Sequence, residues 1–251
     1  MRNTAVNSVA LRRFRLVILA AIMATKTPAG RAAGTRRSGS QLTPEMIIDA
    51  SLRIAARGGD DAFTVRRLGQ ELGCDPTAVY RHFRDKDELL LSVADRTLGE
   101  VLDGVPHGLG WQDRLRALAE QSLRVGMKYP VVSSLMASRT TRRPNEFRVV
   151  ELILGAVDEA GLRGREAVVH YRMFGDSILA YVGQHAALQL FAPNEREGDQ
   201  SAWGREYRLA GPDRFPHIAA LTEDLAAVTH EEIYAARVEA LIDRIASRAA
   251  A

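Results

Sequence analysis

The chain has 251 residues, 46% hydrophobic and 26% charged, which excludes wholesale disorder and leaves room for one large domain or two ordinary ones. Its net charge is +3, but eight of its 34 Lys and Arg residues fall in residues 1–41, which hold no acid; the remainder has 26 basic against 31 acidic groups, a charge of −5, so a nucleic-acid reading must rest on a local surface. A single cysteine, Cys74, excludes an intrachain disulfide and suits a reducing cytoplasm, and no apolar run approaches the ~18–20 residues needed to cross a bilayer.

The first residues, LRRFRLVILAAIMA, join a basic flank to an apolar run in the manner of an export signal, which a start at Met23 would remove. The stretch that follows, TKTPAGRAAGTRRSGSQ, is basic and rich in Gly, Ala and Ser, so residues 1–41 are expected to be a flexible basic arm. From Leu42 the signals are helical. Thr43 is an N-cap with Pro44 at the first helical position, Leu42 and Ile47 have staple spacing, and Gly58-Gly59 is a stop. Thr64 caps a second helix ending at Leu72-Gly73, with Phe63 and Leu68 as its staple. Asp75 caps a third, Pro76 to Phe83, and Asp85 with Glu88 forms a carboxylate variant of the capping box for a fourth, ending near Leu102.

Beyond the break at Asp103 to Gly110, long amphipathic helices are expected over Trp111 to Lys128, Pro144 to Ala160 and Arg165 to Phe191, with a short one at Val131 to Ser138. APNEREGDQ is expected to be a solvated loop and Pro216 to Val228 a short helix. Thr229 with Glu232 boxes the last helix, where Tyr234, Val238, Leu241 and Ile245 repeat at helical spacing. The fold class is therefore all-α.

Two short helices joined by Gly73-Cys74-Asp75 have the dimensions of a helix-turn-helix. On an α-helical wheel Val79 and Phe83 plug the core, while Pro76, Thr77, Tyr80 and Arg81 share the opposite face, where a recognition helix meets base edges. Tyr80 and His82 can donate to phosphates. Lys86, in the first turn of the next helix, stands where backbone N–H groups also favour an anion. Each of these residues also has a plainer reading, as core cover or solvated charge; their joint placement around one turn favours DNA. Cys74 reads as a small apolar filler.

The segment FTVRRLGQELGCDPTAVYRHFRDKDELL resembles the DNA-binding domain of the TetR (tetracycline-repressor) family, through Thr64, the Leu68, Leu72-Gly73 spacing, Val79 to Phe83, and Lys86 with Leu89-Leu90. The resemblance implies that Thr64, Tyr80, His82 and Lys86 hold phosphates while Arg66, Thr77 and Arg81 face bases. It also implies a head over residues 42–98, a C-terminal effector-binding and dimerisation domain over 99–251, and a homodimer on a double-stranded operator. Pro76 and Cys74 depart from the family's commoner residues without removing a contact group.

The six histidines show no metal-ligand spacing, and no nucleotide-binding or nucleophile motif occurs, so neither metal nor cofactor nor catalytic activity is expected. His170, Phe174, Ser177, Tyr181 and His185 recur at helical spacing and are the candidate wall of a pocket for a small-molecule effector, with plain bundle core as the alternative. Gly175, Ile178, Leu179, Val182 and Ala186, with Val238, Leu241, Ile242 and Ile245, are the candidate four-helix dimer interface. The expected function is a ligand-responsive transcriptional regulator, more simply a repressor than an activator. A constitutive DNA binder, a helical enzyme with a DNA-binding head, and an exported helical protein are the alternatives.

Overall fold

The computed structural model describes residues 42–57 and 64–249, which form helices and turns with no strand among them. The basic arm, the Gly58-Gly59 stop and Phe63 of the second staple lie outside the described residues. Thr43 caps α1 (Pro44–Arg57) by accepting the Met46 N–H at 3.3 Å, and Leu42 packs on the same core as Ile47. The second helix, α2 (Val65–Leu72), starts at Thr64, whose hydroxyl accepts the Arg67 N–H at 3.3 Å. It closes at Gly73, φ 64°, with Gly73 and Cys74 N–H groups returning to the Gln70 and Gly69 carbonyls, an end that glycine adopts without strain.

The third element departs from expectation. Pro76–Arg81 (α3) is a 3-10 helix, two residues shorter than expected. The Asp75 carboxylate accepts the Thr77 N–H at 2.8 Å and the Thr77 hydroxyl at 2.6 Å, which tightens the first turn. Ala78 and His82 then bond three residues back, to Asp75 and Val79. At three residues per turn the wheel is redrawn. Pro76, Val79 and His82 make an inward ridge, Thr77 and Tyr80 a second, Ala78 and Arg81 a third. Burial follows this order: Val79 is buried, Pro76 and His82 are half-buried, and Thr77, Tyr80 and Arg81 are exposed.

Asp85 caps α4 (Lys86–Asp103) by accepting the Glu88 N–H at 2.8 Å. The return arm lands one residue early, since Glu88 accepts from Arg84 N–H at 2.7 Å. The expected head boundary at residue 98 falls inside this helix. Then come α5 (Trp111–Lys128), α6 (Pro130–Met136), α7 (Pro144–Glu159) and α8 (Gly164–Leu188), within a few residues of expectation. The APNEREGDQ loop is instead most of a helix, α9 (Pro193–Arg205), which has no buried residue among its described side chains to create an apolar period. A 3-10 turn, Tyr207–Leu209, follows. The helix expected over Pro216 to Val228 is two, α10 (Pro216–Ala220) and α11 (Thr222–Ala227), broken at Leu221. The last, α12 (His230–Ala249), opens on a complete capping box: Glu232 N–H donates to Thr229 Oγ1 at 3.1 Å and Thr229 N–H donates to the Glu232 carboxylate at 2.7 Å.

One hydrophobic cluster runs from Ile47 in the head to Ile245 in α12. At its centre, α8 packs on α5, α6, α7 and α12. Two glycines permit the approach: a Cβ on Gly183 would lie 2.3 Å from Ala137 Cβ, and one on Gly126 would lie 2.3 Å from Val182 Cγ1.

Candidate nucleic-acid interface

The head is held by Ile47, Leu68, Val79, Phe83 and Leu89, all buried. Gly69 sets the α2–α3 distance, because a Cβ there would meet Pro76 Cγ at 2.9 Å and the Cys74 carbonyl at 3.0 Å. Pro76, expected on the reading face, therefore has its half-buried ring turned back on α2. Arg66, Thr77, Tyr80 and Arg81 are all exposed; Thr64, His82 and Lys86 are half-buried, and Thr64 and Lys86 line one small hollow between α2 and α4. The Thr64 oxygen accepts in the cap, which leaves its hydroxyl proton available for donation. Burial pushes the Lys86 ammonium below its ordinary lysine value. Hydrogen bonds from Thr77 hold Asp75 below the usual carboxylate range, so an anion sits at the foot of α3.

Asp75 was read from the sequence as an N-cap, but its second bond, from the Thr77 hydroxyl, was not. A second residue missed there is Asp95, buried on α4. Its carboxylate accepts from the Thr141 hydroxyl at 3.1 Å and from Asn145 and Glu146 N–H at 3.3 and 3.0 Å, so one helix caps the start of another. The same α6–α7 connection reaches α4 through Arg139, which forms a two-pronged pair with Asp87 at 2.8 and 2.9 Å, and through Arg143 to the Glu88 carbonyl at 3.3 Å. An acid amid the apolar positions of α4 was the available signal.

The five candidate pocket residues do not converge. His170 is buried, with Nδ1 2.9 Å from the Glu166 carbonyl of its own helix, and Phe174 is core at 1% exposure. Ser177 is half-buried. Tyr181 and His185 face α12 instead: the Tyr181 hydroxyl donates to the His230 carbonyl at 2.8 Å, its ring stacks on Tyr234 at 5.1 Å, and the His185 and His230 rings lie 4.6 Å apart. His185 Nδ1 is buried without a hydrogen-bond partner among the described residues. An open cleft that sequence reasoning did not find lies elsewhere, lined by Leu102, Val105, His107, Arg114, Phe147 and Arg148 among others.

The interface expectation needs correction. Ile178, Val182, Ala186, Val238, Ile242 and Ile245 are all buried within the protomer, and Gly175 lies 3.8 Å from Ile153 by its would-be Cβ. Their apolar period faces the chain's own core. Leu241 is half-buried, and only Leu179, at 37%, is exposed.

A helix-turn-helix head joined to a helical bundle is the architecture of a DNA-binding transcriptional regulator. Residues 47–93 match the model for bacterial regulatory proteins of the tetR family, residues 106–245 match that for the tetracyclin repressor-like C-terminal domain, and the chain belongs to the TetR family. It is 28% identical over 179 residues to an HTH-type transcriptional regulator of Saccharopolyspora erythraea, covering 71% of this chain and 74% of the relative. With the HTH-type transcriptional repressor DrrR1 of Streptomyces coeruleorubidus it shares 27% over 197 residues, covering 73% and 70%. The crystal structure of apo ActR from Streptomyces coelicolor superposes with a TM-score of 0.73 at 20% identity, over 85% of this chain and 99% of that one. The shared architecture is the fold of the family.

Proposed function

We propose that the chain acts as a homodimeric repressor, released from a palindromic operator by a small molecule bound in its C-terminal bundle. The single observation that supports this most is that Arg66 on α2 and Thr77, Tyr80 and Arg81 on α3 are all exposed around one helix-turn-helix, with Lys86 opening α4 directly after it. In this reading Thr64, Tyr80, His82 and Lys86 take phosphates, and Arg66, Thr77 and Arg81 face bases. Pro76 acts as a spacer. The head ends and the effector domain begins within α4, near residue 98, and α4 is the lever between them. Its first turn carries Lys86, and Asp87, Glu88 and Asp95 tie it to the α6–α7 connection. An effector that displaces that connection moves the heads apart. Switching a promoter this way takes roughly 10²–10⁴-fold preference of the effector for one conformer.

Dimerisation is assigned to the outward faces of α8 and α12, next to the residues the core has taken. Val168 at 52%, Leu179 at 37% and Ile233 at 40% exposure, with Ala180, Ala236 and Ala240 also exposed, supply an apolar surface suited to a two-fold partner. DrrR1 is named a repressor, and ActR has been crystallised with actinorhodin, which supports both the repressor assignment and a small-molecule effector here. The test is selection of binding sites from a random duplex library by the full chain, followed by sedimentation of the complex. A palindromic motif bound by a dimer is expected; no enriched motif, or a monomer on a single half-site, overturns the reading.

A further inference from the structure

We propose that Thr77 reads the C5-methyl group of thymine, and that guanine is excluded from the base position it faces. The inference rests on the DNA-binding role assigned to α3 above and adds its chemistry. A threonine hydroxyl has one proton, and that of Thr77 is already donated to Asp75 Oδ1 at 2.6 Å. The same carboxylate oxygen accepts the Thr77 N–H at 2.8 Å, so the side chain is pinned with its oxygen turned toward Asp75. Thr77 is nevertheless exposed, and with its hydroxyl held by Asp75 the methyl is the side-chain group left unengaged.

Base edges in the major groove sort against this arrangement. Guanine offers only acceptors, N7 and O6, and would meet an oxygen with no proton to give, backed by the Asp75 anion. Hydrogen bonds from Thr77 hold that carboxyl in its charged form. Thymine offers a methyl group, which an outward methyl contacts without any hydrogen bond. The three-residue repeat of α3 supplies an independent reason. Tyr80 stands on the same ridge as Thr77, is 44% exposed, and so extends an apolar strip along one edge of the helix while its hydroxyl reaches for a phosphate.

The full chain is first used to select sites from a random duplex library. Each thymine of the selected site is then replaced in turn by deoxyuridine, which removes only the 5-methyl group, and affinity is measured by fluorescence anisotropy. One thymine per half-site is expected at which the replacement weakens the wild type about three- to fivefold, the cost of losing one buried methyl contact. Thr77→Ser keeps the bond to Asp75 but lacks the methyl; it should bind the thymine site as weakly as the wild type binds the deoxyuridine site, and be indifferent to the replacement. Thr77→Val, which keeps a methyl and loses the hydroxyl, should stay sensitive to it. The proposal falls if no thymine is methyl-sensitive, if Thr77→Ser retains full sensitivity, or if guanine is selected at that position. A library that yields no enriched motif overturns the DNA-binding reading itself, so the two failures are distinct.

Discussion

Lys86 sits in the first turn of α4, where the helix dipole disfavours a cation, and burial already lowers its pKa. A phosphate docked there, as proposed, would offset both costs. Lys86→Ala should weaken binding to selected and random duplexes alike, and lower the slope of log affinity against log salt by about one unit per head. An unchanged slope would remove Lys86 from the phosphate contacts. Arg81, exposed on its own ridge, should behave differently. Arg81→Ala is expected to cost about 1–3 kcal/mol of discrimination between the selected site and a scrambled one, with random-duplex affinity little changed. His185 gives a pH prediction. Burial, then the neighbouring His230, hold its imidazole below the ordinary value of 6.5, with Glu231 partly opposing. As pH falls below 6.5 the unfolded chain takes up the proton before the folded one, so stability is lost on acidification and is level above that pH. Melting temperature should fall as the pH is lowered below 6.5 in the wild type, and fall less in His185→Gln.

Gly69 is where two elements are brought to working distance. Gly69→Ala would force the Pro76 ring and the Cys74 carbonyl to move, at a cost of about 1–3 kcal/mol. Circular dichroism should show the helices retained while DNA affinity drops, since α3 shifts on α2; an alanine variant with wild-type affinity would show the spacing to be unimportant. Elements were legible wherever a cap or stop residue marked them. Thr43, Thr64, Asp75, Asp85 and Thr229 all cap as their sequence context indicates. The winding of α3 was not legible, because Asp-Pro opens an α-helix and a 3-10 helix equally well. That choice decided whether Pro76 faced DNA or α2. Helix α9 was missed for a different reason, as none of its described side chains is buried and so no apolar period marks it.

In the whole molecule, periodicity reveals that a helix has an apolar face but not whether its own chain or a second copy covers it. The interface residues read from α8 and α12 were core for that reason, and Leu179 alone stands clear. The two surfaces should separate on mutation. Val168→Glu with Leu179→Glu places carboxylates on exposed positions, so the protomer is expected to keep its melting temperature while sedimenting as a monomer and losing cooperative operator binding. Val182→Glu, buried at 5% exposure, should instead unfold the protomer at a cost of several kcal/mol. A double surface variant that remains dimeric would move the interface elsewhere.

The cap that Asp95 lends to α7 limits how the chain can be recombined. A chimera joined at residue 98 would take its Asp95 carboxylate position from one parent and the Thr141–Glu146 donor groups from the other. Where the incoming head lacks a carboxylate there, the first turn of α7 is left with uncapped N–H groups in a half-buried seam. Grafting a foreign head onto this bundle therefore calls for a splice before Asp95, or for the 141–146 turn to travel with the head.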